Sequence, residues 1–206
     1  MKVDKQIRIF EKQAVRYDKK RERFELGEYR RRLLHTARGK VLELGAGAGS
    51  NLPYYDPDVA LTAVDFSPSM LEKAKAANER IYGLHADFIQ NDVDRLSWTK
   101  PEFDTVVSTL SLCAYRDPLN VLRKMSEWCK PGGQVLLMEH GISSNKAIAI
   151  AQKALDPLFC RFVGCHQNRD ILGLITASPL QIERAEHYMS GMLHLLWCRA
   201  PGRFPG

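Results

Sequence analysis

Residues 39–51 read GKVLELGAGAGSN. A short apolar run that breaks into glycines at alternate positions marks a buried strand turning sharply into a helix, and it belongs to parallel sheets covered by helices. Such a bend leaves bare backbone for a ligand to approach, and the helix that follows offers its N-terminus. The spacing departs from a dinucleotide cradle, because Gly45, Gly47 and Gly49 stand as GxGxG and Ser50 occupies the place of the third glycine in GxGxxG. Glu43 sits two residues ahead of the bend. A carboxylate there repels a diphosphate and favours an ammonium or sulfonium.

After Gly39 the chain alternates strand and helix signals. KVLELG is the first strand and ALTAVD (60–65) the second; Ser67 is a helix N-cap with Pro68 in the first turn of SMLEKAKAANERI. ADFIQND is a third strand and FDTVVSTL (103–110) a fourth; a helix through DPLNVLRKMSEWC, a Pro-Gly-Gly turn at 131–133 and QVLLMEH as the fifth strand follow. Residues 141–180 interrupt the alternation with a helix over KAIAIAQKALDPLFCRFVG, kinked or restarted at Pro157, and a shorter one over NRDILGLITA capped by Asn168. Leu155, Leu158, Phe159, Phe162 and Val163 share one face of the first helix and are expected to line a lipophilic pocket. QIERAEHY, Ser190-Gly191 and MLHLLWCRA predict an antiparallel hairpin at the sheet edge.

Asp65, 20 residues after Gly45, is placed to accept from ribose hydroxyls. A ligand with a ribose, an ammonium, a sulfonium and no phosphate satisfies both acids, and S-adenosylmethionine is that ligand. Glu43 with GxGxG, Asp65, Asp92 before Val93, a fourth strand entering an apolar loop, and Pro-Gly-Gly before the fifth strand together resemble the class I S-adenosylmethionine-dependent methyltransferases over residues 39–140. The resemblance implies an α/β, Rossmann-like seven-stranded sheet, mostly parallel with an antiparallel edge hairpin, with N-terminal helices before it and a helical insertion before strand six. It implies one domain over 1–206, divided into basic helices (1–38), cofactor core (39–140), acceptor-side insertion (141–180) and hairpin (181–200).

For the cofactor site it implies that Glu43 helps to hold the methionine end, that the backbone at Gly45, Ala46, Gly47 and Gly49 approaches it, and that Asp65 takes the ribose. Asp92 and Val93 take the adenine, and Asn51, Phe66, Ser67, Met70, Thr109 and Leu110 complete the contacts. FEKQAVRYDKK (10–20) resembles the Tyr-Asp element of quinone and phospholipid methyltransferases, which makes Tyr17 a residue that closes over the cofactor. STLSLC, MEH, LDP and GC are similar to lipid-associated alkyl-thiol S-methyltransferases, so a thiol is the favoured acceptor and a phospholipid amine or quinone carbon the alternative. His140 is the candidate base.

Of the 30 Lys/Arg and 24 Asp/Glu, residues 1–40 hold 14 and 6, so that segment carries +8 and the remainder −2. Ile7, Phe10, Ala14 and Tyr17, then Leu26, Tyr29 and Leu33, form the apolar stripes of two amphipathic helices, with Arg30 and the other cations assigned to a solvated face. Such a face suits peripheral contact with an anionic membrane or RNA. The loop after the fourth strand lacks the Asn-Pro-Pro-aromatic pattern of base-amine methylation, which argues against nucleic acid. Five cysteines without a CxxC pair, and Cys160, Cys165 and His166 without a fourth ligand, predict neither a disulfide framework nor a metal. No apolar run reaches the ~18 residues of a membrane span, and a charged N-terminus is no signal peptide, so a cytoplasmic setting is expected.

Overall fold

A computed structural model describes residues 3–23 and 25–202. Seven strands form one sheet in the order β3-β2-β1-β4-β5-β7-β6. β1 (Lys40–Leu44), β2 (Ala60–Asp65), β3 (Ala86–Gln90), β4 (Phe103–Thr109) and β5 (Cys129–His140) are parallel; β7 (Leu193–Arg199) inserts antiparallel between β5 and β6 (Gln181–Tyr188). The central strands are apolar on both faces because helices cover both. Leu42, Leu44, Val106 and Leu137 face one core, Val41, Val107, Leu136 and Met138 the other. Glu43 alternates with Leu42 and Leu44 and therefore points to the Val41 side, beneath α2 (Gly27–Leu34).

The strand order reverses direction between β1 and β4, the crevice where open α/β sheets bind ligands. α3 (Pro68–Ala77) follows β2; Ser67 caps it by accepting from the Met70 amide, with Pro68 in the first turn, as the sequence predicts. α1 (Val3–Glu22) lies across the N-terminal end of α3. Glu11 accepts from the Ser67 hydroxyl (2.5 Å), the Ser69 amide (3.2 Å) and the Ser69 hydroxyl, while Asp18 pairs with Lys73 at 3.2 Å.

Several expectations are corrected. The Pro-Gly-Gly segment lies inside β5: Phe103 pairs with Cys129 but Thr105 with Gln134, so residues 130–133 bulge out, with Gly132 at φ 72°. α4 (Pro118–Trp128) leads directly into that strand. α6 (Ile171–Thr176) is capped by Asp170, which accepts from the Gly173 amide, and not by Asn168. α5 (Lys146–Phe162) runs through Pro157 without restarting.

α5 also turns the opposite way from the prediction. Its inward side is polar: Gln152 donates to the Gly141 and Gln167 carbonyls and accepts from the Ser143 amide, and Asp156 accepts from the Gln167 amide at 2.7 Å. Those loop backbone groups need partners, and the polar residues supply them. The apolar side faces solvent, with Leu158 54% and Phe162 67% exposed; the five residues line an open apolar groove on that outer side, and of them only Val163 also lines a cavity beside the site.

Candidate active site

A cavity opens at the C-terminal ends of β1, β2 and β4. The bend after β1 supplies its floor. Gly45 (φ 70°) is compressed, since a Cβ there would lie 2.6 Å from the Ser111 Cβ, whereas a Cβ on Gly47 (φ 55°) would meet nothing within 4 Å. Bare backbone therefore faces open space at Gly47, as a close-approaching ligand requires. Asp65, at the end of β2, ties the bend down: its carboxylate accepts from the Gly47 amide (2.8 Å) and the Ser67 amide (2.9 Å). Burial pushes its pKa up to about 6, against the lowering effect of those amides.

Glu43 is 2% exposed and its two carboxylate oxygens accept from Asn51 Nδ2 (2.9 Å) and the Tyr55 hydroxyl (2.8 Å). Burial raises it to about 7. Above it stands Arg30 of α2. This guanidinium is 7% exposed and donates to Asn51 Oδ1 at 2.5 Å and to Thr109 Oγ1 at 3.1 Å. Desolvation lowers its pKa, and the Glu43 charge opposes that first. The sequence reading placed Arg30 on a solvated face; the structure corrects this. The signal was its phase, because Arg30 falls between Leu26 and Leu33–Leu34 on the apolar stripe of the helix.

α1 covers the cavity. Phe10 packs edge-on against Phe66 with ring centroids 5.4 Å apart, and Tyr17 lies beside Phe10. Burial lifts the Tyr17 phenol to about 12, so it stays a neutral donor. On the far side Ser111, Ala114 and Tyr115, from the loop after β4, complete the wall. Leu110 opens that loop in the left-handed region (φ 54°), and Glu139 clamps it by accepting from the Ser108 hydroxyl (2.6 Å) and the Leu112 amide (3.1 Å). Burial raises Glu139 to about 7.

Among the predicted cofactor residues, Tyr17, Glu43, Gly45, Ala46, Gly47, Asn51, Asp65, Phe66, Met70, Val93, Thr109 and Leu110 line this cavity. Gly49 does not; a Cβ there would strike Leu52 and α3, so it packs the bend against the helix. Ser67 is spent on its cap and on Glu11. Asp92 lines a smaller neighbouring pocket that shares Phe66, Ala114 and Tyr115 with the first.

His140 lines a third cavity, which shares Phe10, Tyr17, Arg30, Ser50 and Leu110 with the first and continues to Cys113, Val163 and Cys165. The reactive groups there come from the loop after β4, the end of β5 and the loop after α5. Cys113 Sγ donates to the Leu110 carbonyl at 3.6 Å, and the proximity of the two thiols raises Cys113 and lowers Cys165, with His140 further lowering Cys165.

A strand order of this kind, with an acid-flanked glycine bend at its reversal, defines a class I methyltransferase fold. The comparisons agree. A family model described as a methyltransferase domain matches residues 41–133. Phosphatidylethanolamine N-methyltransferase of Cereibacter sphaeroides is 34% identical over 143 residues, covering 68% of this chain and 69% of that one. Thiol S-methyltransferase TMT1B of Rattus norvegicus is 31% identical over 140 residues, covering 63% of this chain and 55% of that one. Among solved structures, a chain from the complex between the Haloferax volcanii Trm112 methyltransferase activator and a methyltransferase aligns at a TM-score of 0.72 and 16% identity, covering 93% of this chain and 97% of that one. The chain belongs to the methyltransferase-domain family and is an S-adenosylmethionine-dependent small-molecule methyltransferase.

The cavity fits that cofactor. Tyr115 Oη and Arg30 Nε, on residues of its wall, are buried without hydrogen-bond partners among the described residues, two donors that an acceptor on the ligand would satisfy. Glu43 and Asp65 bring two carboxylates to its lining, the kind of groups that would meet a positive charge and ribose hydroxyls, and no side chain projects from Gly47 into the cavity. When bound, S-adenosylmethionine supplies a methyl group already activated by its sulfonium.

Proposed function

We propose that the chain transfers a methyl group to a small lipophilic acceptor and that this acceptor is a thiol. The observation that carries the reading is the third cavity. It adjoins the cofactor cavity, is walled by Phe10, Leu26, Leu110 and Val163, and presents two cysteines and a histidine. Its one carboxylate, Glu25, is paired with Lys20 at 3.2 Å, so among the described residues no free acid waits there for an ammonium. A thiol needs only to lose a proton, and proximity in a desolvated site supplies most of the rate.

In this reading Asn51 holds Glu43 toward the methionine end, the Gly45–Gly49 backbone closes on it, Asp65 takes the ribose, and Asp92 with Val93 takes the adenine. Phe66, Met70, Thr109 and Leu110 pack the cofactor, Tyr17 closes over it, and His140 is the group placed to accept the thiol proton. An acceptor screen that follows S-adenosylhomocysteine release tests this. Alkyl thiols are expected to turn over fastest; faster methylation of phosphatidylethanolamine or of a demethylated quinone overturns the acceptor.

We also propose that the enzyme works against an anionic membrane surface. No helix among the described residues is long and apolar enough to cross a membrane. The outer side of α5 nevertheless presents Ile150, Leu155, Leu158, Phe159 and Phe162, and its exposed charges, Lys146, Lys153 and Arg161, are all basic. The exposed side of α1, whose Gln13 holds the Val163 carbonyl at the end of α5, adds Lys5, Arg8, Lys12, Arg16 and Lys19. An apolar strip flanked by cations matches anionic headgroups over acyl chains. Sedimentation with phosphatidylglycerol vesicles should pull down the protein and release it when Leu158, Phe159 and Phe162 are replaced by serine. Equal binding by that variant, or a monodisperse dimer through α5, overturns the proposal.

A further inference from the structure

We infer that Cys113, His140 and Cys165 form a three-ligand site for a soft divalent cation, Zn2+ by its donor set, whose fourth position opens into the acceptor cavity. From the sequence no metal is expected and the set weighed is Cys160, Cys165 and His166; in the fold Cys160 Sγ and His166 Nε2 approach to 3.6 Å, but Cys165 groups instead with Cys113 and His140. Cys113 and Cys165 lie 52 positions apart, with His140 between them on another strand. The two Sγ atoms and an imidazole nitrogen come within 4.8 Å of one another. With bonds of about 2.3 Å to sulfur and 2.0 Å to nitrogen, tetrahedral zinc separates its ligands by roughly 3.8 Å, so each needs to move by less than about 1 Å.

The loops that carry the two cysteines are held to one another before any ion arrives. The His166 amide donates to the Cys113 carbonyl at 3.0 Å, and Arg169 grips the same loop through the Cys113 and Tyr115 carbonyls. Gln6 donates to both the Ala114 and Gly164 carbonyls, joining the loop before one cysteine to the loop after the other. Gln167 Nε2 points at Cys165 Sγ from 3.1 Å, an outer contact of the kind that orients a metal thiolate. Two thiolates and a neutral imidazole leave the ion electrically neutral, which suits a site where both cysteines are buried.

No fourth Cys, His, Asp or Glu joins the group among the described residues. All three ligands line the same cavity, so the open position faces it. Two sulfurs and one nitrogen with one position free is the arrangement of a catalytic rather than a structural zinc site. If the acceptor is a thiol, a consequence that rests on the function proposed above, it takes the fourth position in place of water. The thiol proton goes to solvent. The bound thiolate's electron pair then forms the new S–CH3 bond as the sulfonium C–S bond breaks, its electrons staying on the donor sulfur. The product thioether is uncharged and a weaker ligand, and water replaces it. In that arrangement His140 is a ligand and takes no proton.

The test begins with metal binding and needs no acceptor. Protein purified under reducing conditions is dialysed against Zn2+, then Co2+. About one ion per chain is expected, with thiolate-to-cobalt charge-transfer absorption and the visible bands of a tetrahedral ion. Cys165→Ser and His140→Gln should each weaken Zn2+ binding by at least about 100-fold, and Cys160→Ser, outside the group, should leave it unchanged. Circular dichroism confirms folding of each variant, and the wild-type cobalt spectrum stands if one of them fails. Absence of cobalt absorption in folded wild-type protein, or a Cys113–Cys165 disulfide forming with Zn2+ present, overturns the site. A metal-loaded protein that methylates only amines would sink the thiol acceptor and leave the metal site intact.

Discussion

Arg30 and Glu43 bring opposite charges into one buried cavity without touching, because Asn51 stands between them, accepting from the guanidinium and donating to the carboxylate. Under the proposed cofactor assignment the pair suits a zwitterion: the acid would meet an ammonium, and Arg30 Nε, which has no hydrogen-bond partner among the described residues, a carboxylate. The site as a whole, with Asp65, keeps one net negative charge when both acids are ionised, which still disfavours a diphosphate.

Arg30→Met should therefore weaken S-adenosylmethionine binding by roughly 10–100-fold, the range of a lost charge-assisted hydrogen bond. Decarboxylated S-adenosylmethionine separates the causes. Calorimetry should find that it binds wild type weakly and gains nothing further to lose in the variant; an equal drop for both ligands would mean that Arg30 only supports the fold.

Cofactor affinity should rise with pH. Glu43 at about 7 and Asp65 at about 6 are partly protonated near neutrality, and a cationic ligand favours their charged forms, so binding releases protons. Titrations in buffers of different ionisation enthalpy, between about pH 5.5 and 8, should show tighter binding at higher pH and net proton release below about pH 7. Proton uptake would contradict the assignment.

The same acids set the stability of the ligand-free protein in the opposite sense. Glu43, Glu139 and Asp65 have raised folded-state values, so the native chain holds more protons than the unfolded one between the ordinary carboxylate range and about 7. Their contribution is complete below the unfolded values and is lost as pH rises through about 6 to 7. Glu11, Asp18, Asp104 and Glu186 are lowered and so stay ionised in both states across that window. The Tm of the ligand-free protein should fall from about pH 5 to 7, less steeply than three acids alone would give because the lowered Cys165 and His194 act in the opposite sense, and Glu43→Gln should flatten the slope.

Asp65→Asn tests the bend. An amide keeps one acceptor but aims a donor at one of the two amides that Asp65 now holds, Gly47 or Ser67, which should lower stability by about 1–3 kcal/mol. Urea denaturation reads that loss, and S-adenosylhomocysteine binding should fall with it. Unchanged stability would show that the bend holds its shape without the carboxylate.

Glu11→Ala should loosen the cover formed by α1. Glu11 is half-buried and grips the N-terminal end of α3, where a carboxylate also meets the positive end of the helix, so the loss in global stability should stay near or below about 1 kcal/mol. Ligand dissociation, followed by stopped-flow fluorescence, should nonetheless accelerate several-fold. A variant with the wild-type release rate would show that α1 does not gate the cavity.

The sequence by itself determined what depends on neighbours along the chain. GKVLELGAGAG set a strand and a glycine bend, ALTAVD placed Asp65 at a strand end, Ser67-Pro68 opened a helix, and the hairpin at 181–199 followed from two alternating runs around Ser190-Gly191. Period and cap chemistry are local, so they are legible without a structure. Only the tertiary structure decided which side of each element faces inward where polarity and burial disagree. Arg30 is buried because Asn51, Thr109 and Glu43 wait for it from three other elements, and α5 shows its leucines to solvent because loop backbone claims its polar side. Cys113 and His140 meet because β4 and β5 are neighbours, and Cys165 joins them because the loop after α5 folds back over that edge; their separation along the chain carries no trace of it, because such contacts are fixed by packing the whole domain at once.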